Sequence, residues 1–349
     1  MDFQFSDDEK TVVELARKIL GDKVTPEWLK EFESTETAFD SELWQALSES
    51  GLLGVAAPEQ HGGMDLGFFA LALLCQEVGR AVAPVPIYAS LVLGAWPLAR
   101  FGSDDERSHW LPQVIRGEVI VTAALTELNS SDPLSPQTRA TRKGDGFRLV
   151  GEKSLVPFGA QAARILVPAS TEDGGVILAW VEPGAPGLRM ESQGASDRQP
   201  HAVLELDGVD VTEADLLGGS EGGSDRLAWL VECSTAALCA MQLGVTERAL
   251  EMTAEYGKER VQFDRPIGSF QAFHQRAADA YIMVEAQRLS AWEAIWQISQ
   301  QRPAANAVAV AKYWAAEGAQ FAAYACQHLH GGIGIDVDYP LHRYFIWAT

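Results

Sequence analysis

The first 118 residues carry apolar side chains at helical spacing. Ser6 and Glu9 have the spacing of a capping box, and an apolar stripe follows from Val12 to Leu20. The same periodicity predicts further helices over residues 40–50, 66–80, 86–101 and 104–116. A second capping box, Ser103 to Glu106, precedes the last of them. This part of the chain is therefore predicted to be an all-α domain, residues 1–118.

From about residue 119 the helical spacing of apolar side chains gives way to the shorter period of β-strands. Short segments rich in β-branched residues alternate with clusters of Gly, Pro, Asp and Ser. These segments read EVIVTAALTE, GFRLVGEK, ARILVPA, GVILAWVE and HAVLELDGV. They predict a middle β-domain over residues 119–222, a barrel or a sandwich.

After GGSEGG the helical pattern returns over residues 226–259, 271–301 and 304–330. Gly331 follows the last of these helices and is predicted to end it as a C′ glycine. The wide apolar faces indicate an antiparallel four-helix bundle, residues 223–349. The order helices, strands, helices predicts an α+β fold with three domains.

The composition narrows the possible partners. The chain has 349 residues with 48 acidic against 27 basic, a formal net charge of -21. Such a charge repels nucleic acid and anionic membranes. The acidic N-terminus lacks the features of a signal peptide, and no apolar run reaches the roughly 18 residues of a membrane span. We therefore expect a cytoplasmic protein, without a metal site, since the four cysteines are scattered.

One stretch carries an unusual combination of side chains. ERVQFDRPIGSFQAFHQRAAD, residues 259–279, places arginines, two phenylalanines and amides around a corner that Pro266 and Gly268 enforce. A guanidinium, an amide and aromatic rings together suit a cofactor with a phosphate and a planar base. A well-packed turn with an incidental arginine is the alternative.

Two more stretches leave both interpretations open. CQHLHGGIGI, residues 326–335, is either a plain helix end or a place where the backbone approaches a ligand closely. In ALTELNSSD, residues 124–132, the hydroxyls of Thr126 and Ser131 are either turn formers or ligand contacts. GGSEGG lacks the order of a phosphate loop and indicates a linker.

These stretches, in this order, resemble the acyl-CoA dehydrogenase family from near residue 1 to about residue 345. GLLGVAAPEQHGG resembles its first loop, GEVIVTAALTE the entry to its β-domain, and HGGIG its C-terminal glycine motif. YGKERVQFDRPIGSFQAFHQRAAD is similar to its Tyr-x-x-x-Arg-x-Gln-Phe-Gly-x-Pro-Ile-x-x-Phe-Gln signature, with Asp264 in place of a glycine.

The resemblance implies an FAD site shared between subunits, whose flavin ring lies mainly in the neighbouring subunit. By residue match, the pyrophosphate and adenosine end would contact Arg260, Gln262, Phe263, Phe270, Gln271, Gly331 and Gly332. His328 stands where the family has a glutamine. Thr126 and Ser131 match the flavin-side loop, which is one residue shorter here.

The resemblance also shows where this chain departs from the family. One family position for the glutamate base is Ser234 here, followed by Thr235 in place of an arginine, and the other lies past Thr349. Glu232 is a candidate two positions away, which on a helix turns it about 200° around the axis from Ser234. The flavin-facing Trp-x-Thr becomes Leu155 and Pro157.

One half of the FAD site is thus kept and the other lost. This resembles the short subunit of the α2β2 acyl-CoA dehydrogenases associated with steroid side-chain thioesters, in which a homologous partner supplies the glutamate. The family also implies an acyl-CoA substrate and an electron-transfer flavoprotein as acceptor. The alternatives are a self-sufficient homo-oligomeric dehydrogenase that uses Glu232, and a non-catalytic scaffolding homologue. Flavin oxidases and monooxygenases share the fold.

Overall fold

The computed structural model describes residues 4–35 and 37–349. Its N-terminal region is helical, as predicted. The helices there are α1 (Asp7–Lys23), α2 (Pro26–Phe32), α3 (Ser41–Glu49), α4 (Gly67–Ala81), a π-helix (Tyr88–Ala95), α5 (Trp96–Phe101) and α6 (Asp104–Ile115). Both predicted capping boxes form, at Ser6 and at Ser103. The short α2 was not predicted, although Thr25 caps it and Pro26 stands at its first turn.

The helix predicted over residues 86–101 begins as a π-helix. The amide of Trp96 donates to the carbonyl of Leu91, five residues back, and Pro97, the next residue, has no N–H to donate. Gly94 faces a strand, and a Cβ added there would lie 2.4 Å from Cγ2 of Val121. Gly94 thus lets the π-helix pack closely on that strand. The spacing of apolar residues does not reveal this contact.

The middle region is one mixed sheet of seven strands. They are β1 (Ile120–Ala123), β2 (Arg139–Lys143), β3 (Gly146–Pro157), β4 (Ala162–Thr171), β5 (Val176–Val181), β6 (Leu188–Gln193) and β7 (His201–Thr212). Their order is β1-β4-β2-β3-β7-β6, with β5 also paired to β4. β4 runs parallel to β1 and β2, and the other pairs are antiparallel. β2 and β6 were not predicted, because most of their side chains are polar and exposed.

The C-terminal region returns to helices. Its elements are α7 (Gly223–Glu259), a hairpin of β8 (Val261–Gln262) and β9 (Arg265–Pro266), α8 (Gln271–Ser299), α9 (Ala305–His330) and α10 (Leu341–Ala348). Gly331 ends α9, as predicted, but it is the C-cap residue with φ 67° and ψ -143°, outside the left-handed αL conformation of a C′ glycine. The predicted α+β order of helices, sheet and helices is confirmed.

The chain divides into two compact units. The helical unit consists of Met1–Thr37, Phe68–Ala83 and Thr235–Thr349, and the sheet unit of Ala38–Gly67 and Pro84–Ser234. The three predicted domain boundaries follow the order of elements and stay a prediction.

The core of the helical unit lies between α7, α8 and α9. Its buried cluster consists of Leu243, Ala280, Val284, Ala322 and Ala325. α4 crosses α7 at two glycines. A Cβ on Gly244 would lie 1.9 Å from the carbonyl oxygen of Gln76, and one on Gly79 would lie 2.0 Å from that of Met241. These two glycines therefore allow the backbones of the two helices to touch.

α7 is the one helix in the described part of the chain that is long and apolar enough to cross a membrane. Its most apolar window is 61% buried inside the protein. That burial is typical of a core helix.

Candidate functional site

The signature segment forms a tight hairpin between α7 and α8. Phe263 and Asp264 occupy the turn that joins β8 to β9, with φ of 53° and 60°. Two consecutive residues with positive φ are the mark of a type I′ hairpin turn, which favours glycine at its second position. Asp264, the replacement for the family's glycine, keeps the turn because aspartate tolerates the left-handed region better than most residues.

Two glycines hold the corner of this segment against α7. A Cβ on Gly257 would lie 2.5 Å from Cζ of Phe273, and one on Gly268 would lie 2.7 Å from the carbonyl oxygen of Gly257. The amide of Ile267 donates to the carbonyl of Arg260 at 2.8 Å and closes the loop. Arg260 and Gln271 therefore lie on different elements that meet at one corner, as predicted.

Aromatic and cationic side chains cluster at the corner. The guanidinium of Arg265 lies 4.1 Å from the ring centre of Phe270, and Phe263 meets Phe270 edge to face at 6.1 Å. Phe263 is 86% exposed. An aromatic ring so far out of the core is available to a ligand or to another chain.

The cations here differ from most others in the protein. Lys258, Arg260, Arg265 and Arg276 have no carboxylate within 4.0 Å in the described residues, whereas cations elsewhere, such as Arg148 with Asp210, are often paired. The Nε of Arg276 is buried and finds no hydrogen-bond partner there, while its guanidinium lies 4.7 Å from the ring centre of Phe321. This group is an island of cations that form no ion pair in the described residues, with the carboxylate of Asp279 lining the same cavity as Arg276. Cations without an ion-pair partner are available to an anionic ligand.

The end of α9 lies beside this island. A cavity of about 540 Å³ is lined by Ile267 and Phe270 from the corner, Arg276 from α8, and His328 from α9. Gly331 has φ 67° and ψ -143°, a conformation restricted to glycine. A Cβ on Gly332 would meet nothing within 4 Å, so close packing does not require a glycine there. The space beside Gly332 is open to a ligand.

The residues of this region fit a diphosphate-bearing cofactor. Guanidinium groups without an ion-pair partner in the described residues supply positive charge, and Gln271 is exposed with no side-chain hydrogen bond there. Gln262 donates only to the carbonyl of its neighbour Val261, at 2.8 Å. Eight of the residues identified from the sequence lie in this part of the helical unit: Arg260, Gln262, Phe263, Phe270, Gln271, His328, Gly331 and Gly332. Arg276 was missed, because it lies outside the motif.

Thr126 and Ser131 lie in the sheet unit, on a loop that a buried ion pair supports. Both side chains are exposed, and the carbonyl of Thr126 accepts from the amide of Ser154 at 2.9 Å. Next to Thr126, the Glu127 carboxylate accepts from Nζ of Lys153 at 2.7 Å, with Lys153 1% exposed.

The Glu127 carboxylate is fully engaged. It also accepts from the amide and hydroxyl of Thr138, at 2.9 and 2.7 Å, and from the amide of Gln137 at 2.6 Å. Burial raises the pKa of Glu127, but Lys153 and the two amides outweigh it, so its pKa lies below the ordinary value. Burial also holds the pKa of Lys153 down against the pull of Glu127. The pair is a structural support rather than a reactive acid.

Leu155 and Pro157 are the positions that the family resemblance compares with a flavin-facing Trp-x-Thr. Leu155 is a bulge in β3, with φ 49° and its amide donating to Gln193 Oε1 at 2.7 Å. The carbonyl of Pro157 accepts from the hydroxyl of Thr122 at 2.9 Å, and proline has no N–H of its own. Phe158 is buried edge to face with Phe39. These side chains offer neither a polar contact nor an aromatic face at positions 155 and 157.

The family resemblance implies a glutamate base on α7, and in the described residues no buried carboxylate on that helix is without a partner. At the family position, Ser234 is buried and its hydroxyl donates to the carbonyl of Val231 at 3.1 Å. Glu232 is half-buried, and burial raises its pKa. Glu247, which the sequence analysis did not single out, is buried too, but it is paired with Arg288 and accepts from Gln76 at 2.9 Å. Burial raises the pKa of Glu247 against those partners.

The described residues contain no cluster of three His, Cys, Asp or Glu that could hold a metal ion.

Comparison with known proteins gives matches over nearly the whole chain. The family model "Acyl-CoA dehydrogenase, N-terminal domain" matches residues 6–118, and "Acyl-CoA dehydrogenase, C-terminal domain" matches residues 222–349. Acyl-CoA dehydrogenase FadE27 of Mycobacterium tuberculosis is 38% identical over 356 residues, which cover 100% of this chain and 93% of the relative.

Solved structures match equally well. A chain of the ChsE4-ChsE5 complex from Mycobacterium tuberculosis superposes with a TM-score of 0.93 at 39% identity, covering 100% of this chain and 93% of that one. A chain of the Tcur3481-Tcur3483 steroid ACAD has a TM-score of 0.91 at 42% identity, with coverages of 98% and 92%. The FAD complex of PigA has a TM-score of 0.90 at 25% identity, with coverages of 100% and 94%.

Proposed function

Because this chain belongs to the acyl-CoA dehydrogenase family, we propose that it is the subunit without the catalytic base in a heteromeric acyl-CoA dehydrogenase. Members of the family are oxidoreductases that act on acyl-CoA, and FAD is their cofactor. This chain supplies the adenosine and pyrophosphate half of a shared FAD site. A homologous partner supplies the flavin pocket and the glutamate.

The observation that carries the proposal is the contrast between the two groups of site residues. On the helical unit, Arg260 and Gln271 lie free at a glycine-held corner, with the side-chain chemistry for a diphosphate. On the sheet unit, Leu155 and Pro157 stand where a flavin needs an aromatic face and a hydroxyl. Ser234 stands where the substrate needs a carboxylate. A chain with only the first half of the site needs a partner with the second.

The residues of the retained half have distinct roles in this proposal. Arg260 neutralises the diphosphate, and Gln262 and Gln271 donate hydrogen bonds to it. The rings of Phe263 and Phe270 cover the adenosine side, where His328 stands in place of the usual glutamine. Gly331 and Gly332 let the backbone approach the phosphates, and Thr126 and Ser131 are weaker candidates for polar contacts. FAD, when bound, accepts the hydride that leaves the substrate β-carbon.

The proposed assembly and substrate rest on the similarity to two solved structures. A chain of the ChsE4-ChsE5 complex and one of a steroid ACAD are both similar to this chain over almost all of its length. We therefore propose an α2β2 complex that acts on the CoA thioester of a bulky, steroid-like side chain. Electrons pass to an electron-transfer flavoprotein, and the acidic complex works in the cytoplasm.

Flavin content tests the shared site directly. We expect the chain purified alone to show no flavin absorbance near 450 nm, and the complex co-purified with its homologous partner to hold about one FAD per pair of chains. The reason is that the lone chain lacks the flavin-side contacts. Stoichiometric FAD on the lone chain would overturn the shared site. Flavin absent from every assembly would favour a scaffolding homologue.

A self-sufficient dehydrogenase is the second candidate, because burial raises the pKa of Glu232 as a base requires. We expect the change Glu232→Gln to leave the dehydrogenation rate of the complex within about twofold of wild type, because in the proposed complex the partner supplies the base. The measurement is the rate of acyl-CoA-dependent reduction of an artificial electron acceptor. A loss of more than about 100-fold would make Glu232 the base, given what general-base catalysis contributes.

A further inference from the structure

His330 is buried between the two segments that form the retained half of the FAD site. It is the last residue of α9, directly before Gly331, and it is 4% exposed. Its ring stacks on Tyr256 of α7, with ring centres 4.5 Å apart and planes 18° apart. Tyr256 lies one turn before Arg260, whose amide donates to its carbonyl at 2.9 Å. One stacked pair thus joins the start of the hairpin to the start of the glycine turn.

The hydrogen bonds of His330 define its tautomer. Nδ1 lies 2.8 Å from the carbonyl oxygen of Cys326, which only accepts, so Nδ1 carries the proton. Nε2 lies 3.2 Å from the hydroxyl of Tyr339 and accepts from it. Burial lowers the pKa of His330, although the Cys326 carbonyl opposes that effect, and this direction favours the neutral imidazole. Every polar atom of the ring is used.

Tyr339 connects a third segment to the same ring. It follows the turn of Gly331–Ile335 and precedes α10, and its ring lies 5.3 Å from His330 and 6.3 Å from Tyr256, centre to centre. A hydrogen bond therefore joins His330, directly before the glycine turn, to Tyr339, which follows the turn. Gly331 and Gly332 have no side chains that could hold this turn in place, whereas Gly334 packs closely on α9, where an added Cβ would lie 2.8 Å from the carbonyl oxygen of Gln327.

We propose that His330, Tyr256 and Tyr339 form a latch that holds the glycine turn and the Arg260 hairpin in the relative position that binds the FAD diphosphate. This inference rests on the proposed function of the same site. The three side chains are positioning residues, since they act through the backbone of the two segments they join. Without the latch the segments occupy other arrangements, and the apparent affinity falls by the fraction of molecules that remain competent.

The test uses the assembled complex, freed of flavin and titrated with FAD and with ADP. His330→Phe keeps the stack on Tyr256 and removes both hydrogen bonds, and Tyr339→Phe removes only one hydroxyl. We expect the apparent affinities for FAD and for ADP to fall on the order of tenfold in His330→Phe. Such a loss corresponds to about one molecule in ten remaining competent to bind. Tyr339→Phe should weaken them by a smaller factor in the same direction.

A matched control separates positioning from general destabilisation. Thr246 is a buried residue of α7 whose hydroxyl lies 3.1 Å from Gln287 Oε1 of α8, away from the latch. Thr246→Val should lower the melting temperature like Tyr339→Phe and leave both affinities unchanged. Hydrogen exchange of the backbone amides adds a readout independent of flavin. Exchange over residues 260–268 and 331–335 should speed up in His330→Phe and not in Thr246→Val.

The outcomes are distinct. If folded His330→Phe and Tyr339→Phe bind FAD and ADP within about twofold of wild type, the latch is refuted while the shared site stands. Equal losses of FAD and ADP affinity in Thr246→Val would also refute the latch, since the losses would then come from lower stability of the fold. A wild-type complex that binds neither FAD nor ADP would overturn the proposed function and this inference with it. Faster exchange in both segments together with weaker binding supports the latch.

Discussion

Replacing Lys153 by methionine is expected to destabilise the sheet unit by about 3–5 kcal/mol, the usual cost of breaking a buried ion pair by removing one partner. Methionine fills a similar volume, so the loss is electrostatic rather than a cavity. Glu127 would stay behind, 7% exposed, with the desolvation of its carboxylate no longer offset by a cation. Urea unfolding of wild type and variant near neutral pH measures the difference.

The chain offers a surface counterpart as control. Lys143 pairs with Asp210 at 2.6 Å, but the two side chains are 48% and 51% exposed. Lys143→Met should therefore destabilise the sheet unit far less than Lys153→Met, because solvent screens the exposed pair. Equal effects of the two substitutions would contradict the structural role of the buried pair.

The effect of Lys153→Met should also depend on pH. In the wild type the pKa of Glu127 is depressed, so its contribution is present above the unfolded pKa and is lost as the pH falls through the folded one. Loss of Lys153 raises the pKa of Glu127 in the folded state. The difference in stability between wild type and variant should therefore narrow as the pH is lowered towards about 4 to 5.

Replacing Arg260 by alanine is expected to weaken FAD binding to the assembled complex by roughly 10- to 100-fold, since a hydrogen bond to a charged group contributes about 1.5–3 kcal/mol. Arg260 is exposed and unpaired in the described structure, so its removal breaks no ion pair inside the chain. The loss should then appear in FAD affinity and not in the melting temperature of the lone chain. Titration of the flavin-free complex with FAD measures it.

Arg302 provides the control for charge. It too is exposed and without a carboxylate partner in the described residues, and it stacks on Trp296 at 4.6 Å, at the other end of α8. Arg302→Ala changes the net charge by the same amount and should leave FAD affinity unchanged. If Arg260→Ala binds FAD like wild type, the retained half-site does not bind the cofactor through this arginine.

The family and the order of elements were predictable from the sequence, because both depend on local patterns. The apolar stripe after Ser6, the capping boxes and the glycine after His330 each act within a few residues of themselves. The family assignment is confirmed because motifs with fixed spacing are matched over most of the chain. The site residues carried over from those motifs stay predictions, which the FAD titrations above address.

What the sequence could not reveal depends on contacts between residues far apart along the chain. The pairing of Lys153 with Glu127 crosses 26 positions, and the stack of Tyr256 on His330 crosses more. Arg276 lies beside the proposed half-site because α8 brings it to the cavity that Phe270 and His328 also line. Local propensity carries no information about such pairs.

The sequence by itself determined the family and the helix–sheet–helix order. It also carries the prediction that the flavin-side chemistry is lost, because residue identity alone leaves no hydroxyl at Pro157 and no carboxylate at Ser234. Only the tertiary structure decided which arginines stay unpaired, which carboxylates are neutralised, and how His330 joins the two segments of the retained half-site. Whether a charge is compensated depends on what lies within a few ångströms of it, and folding alone sets that distance.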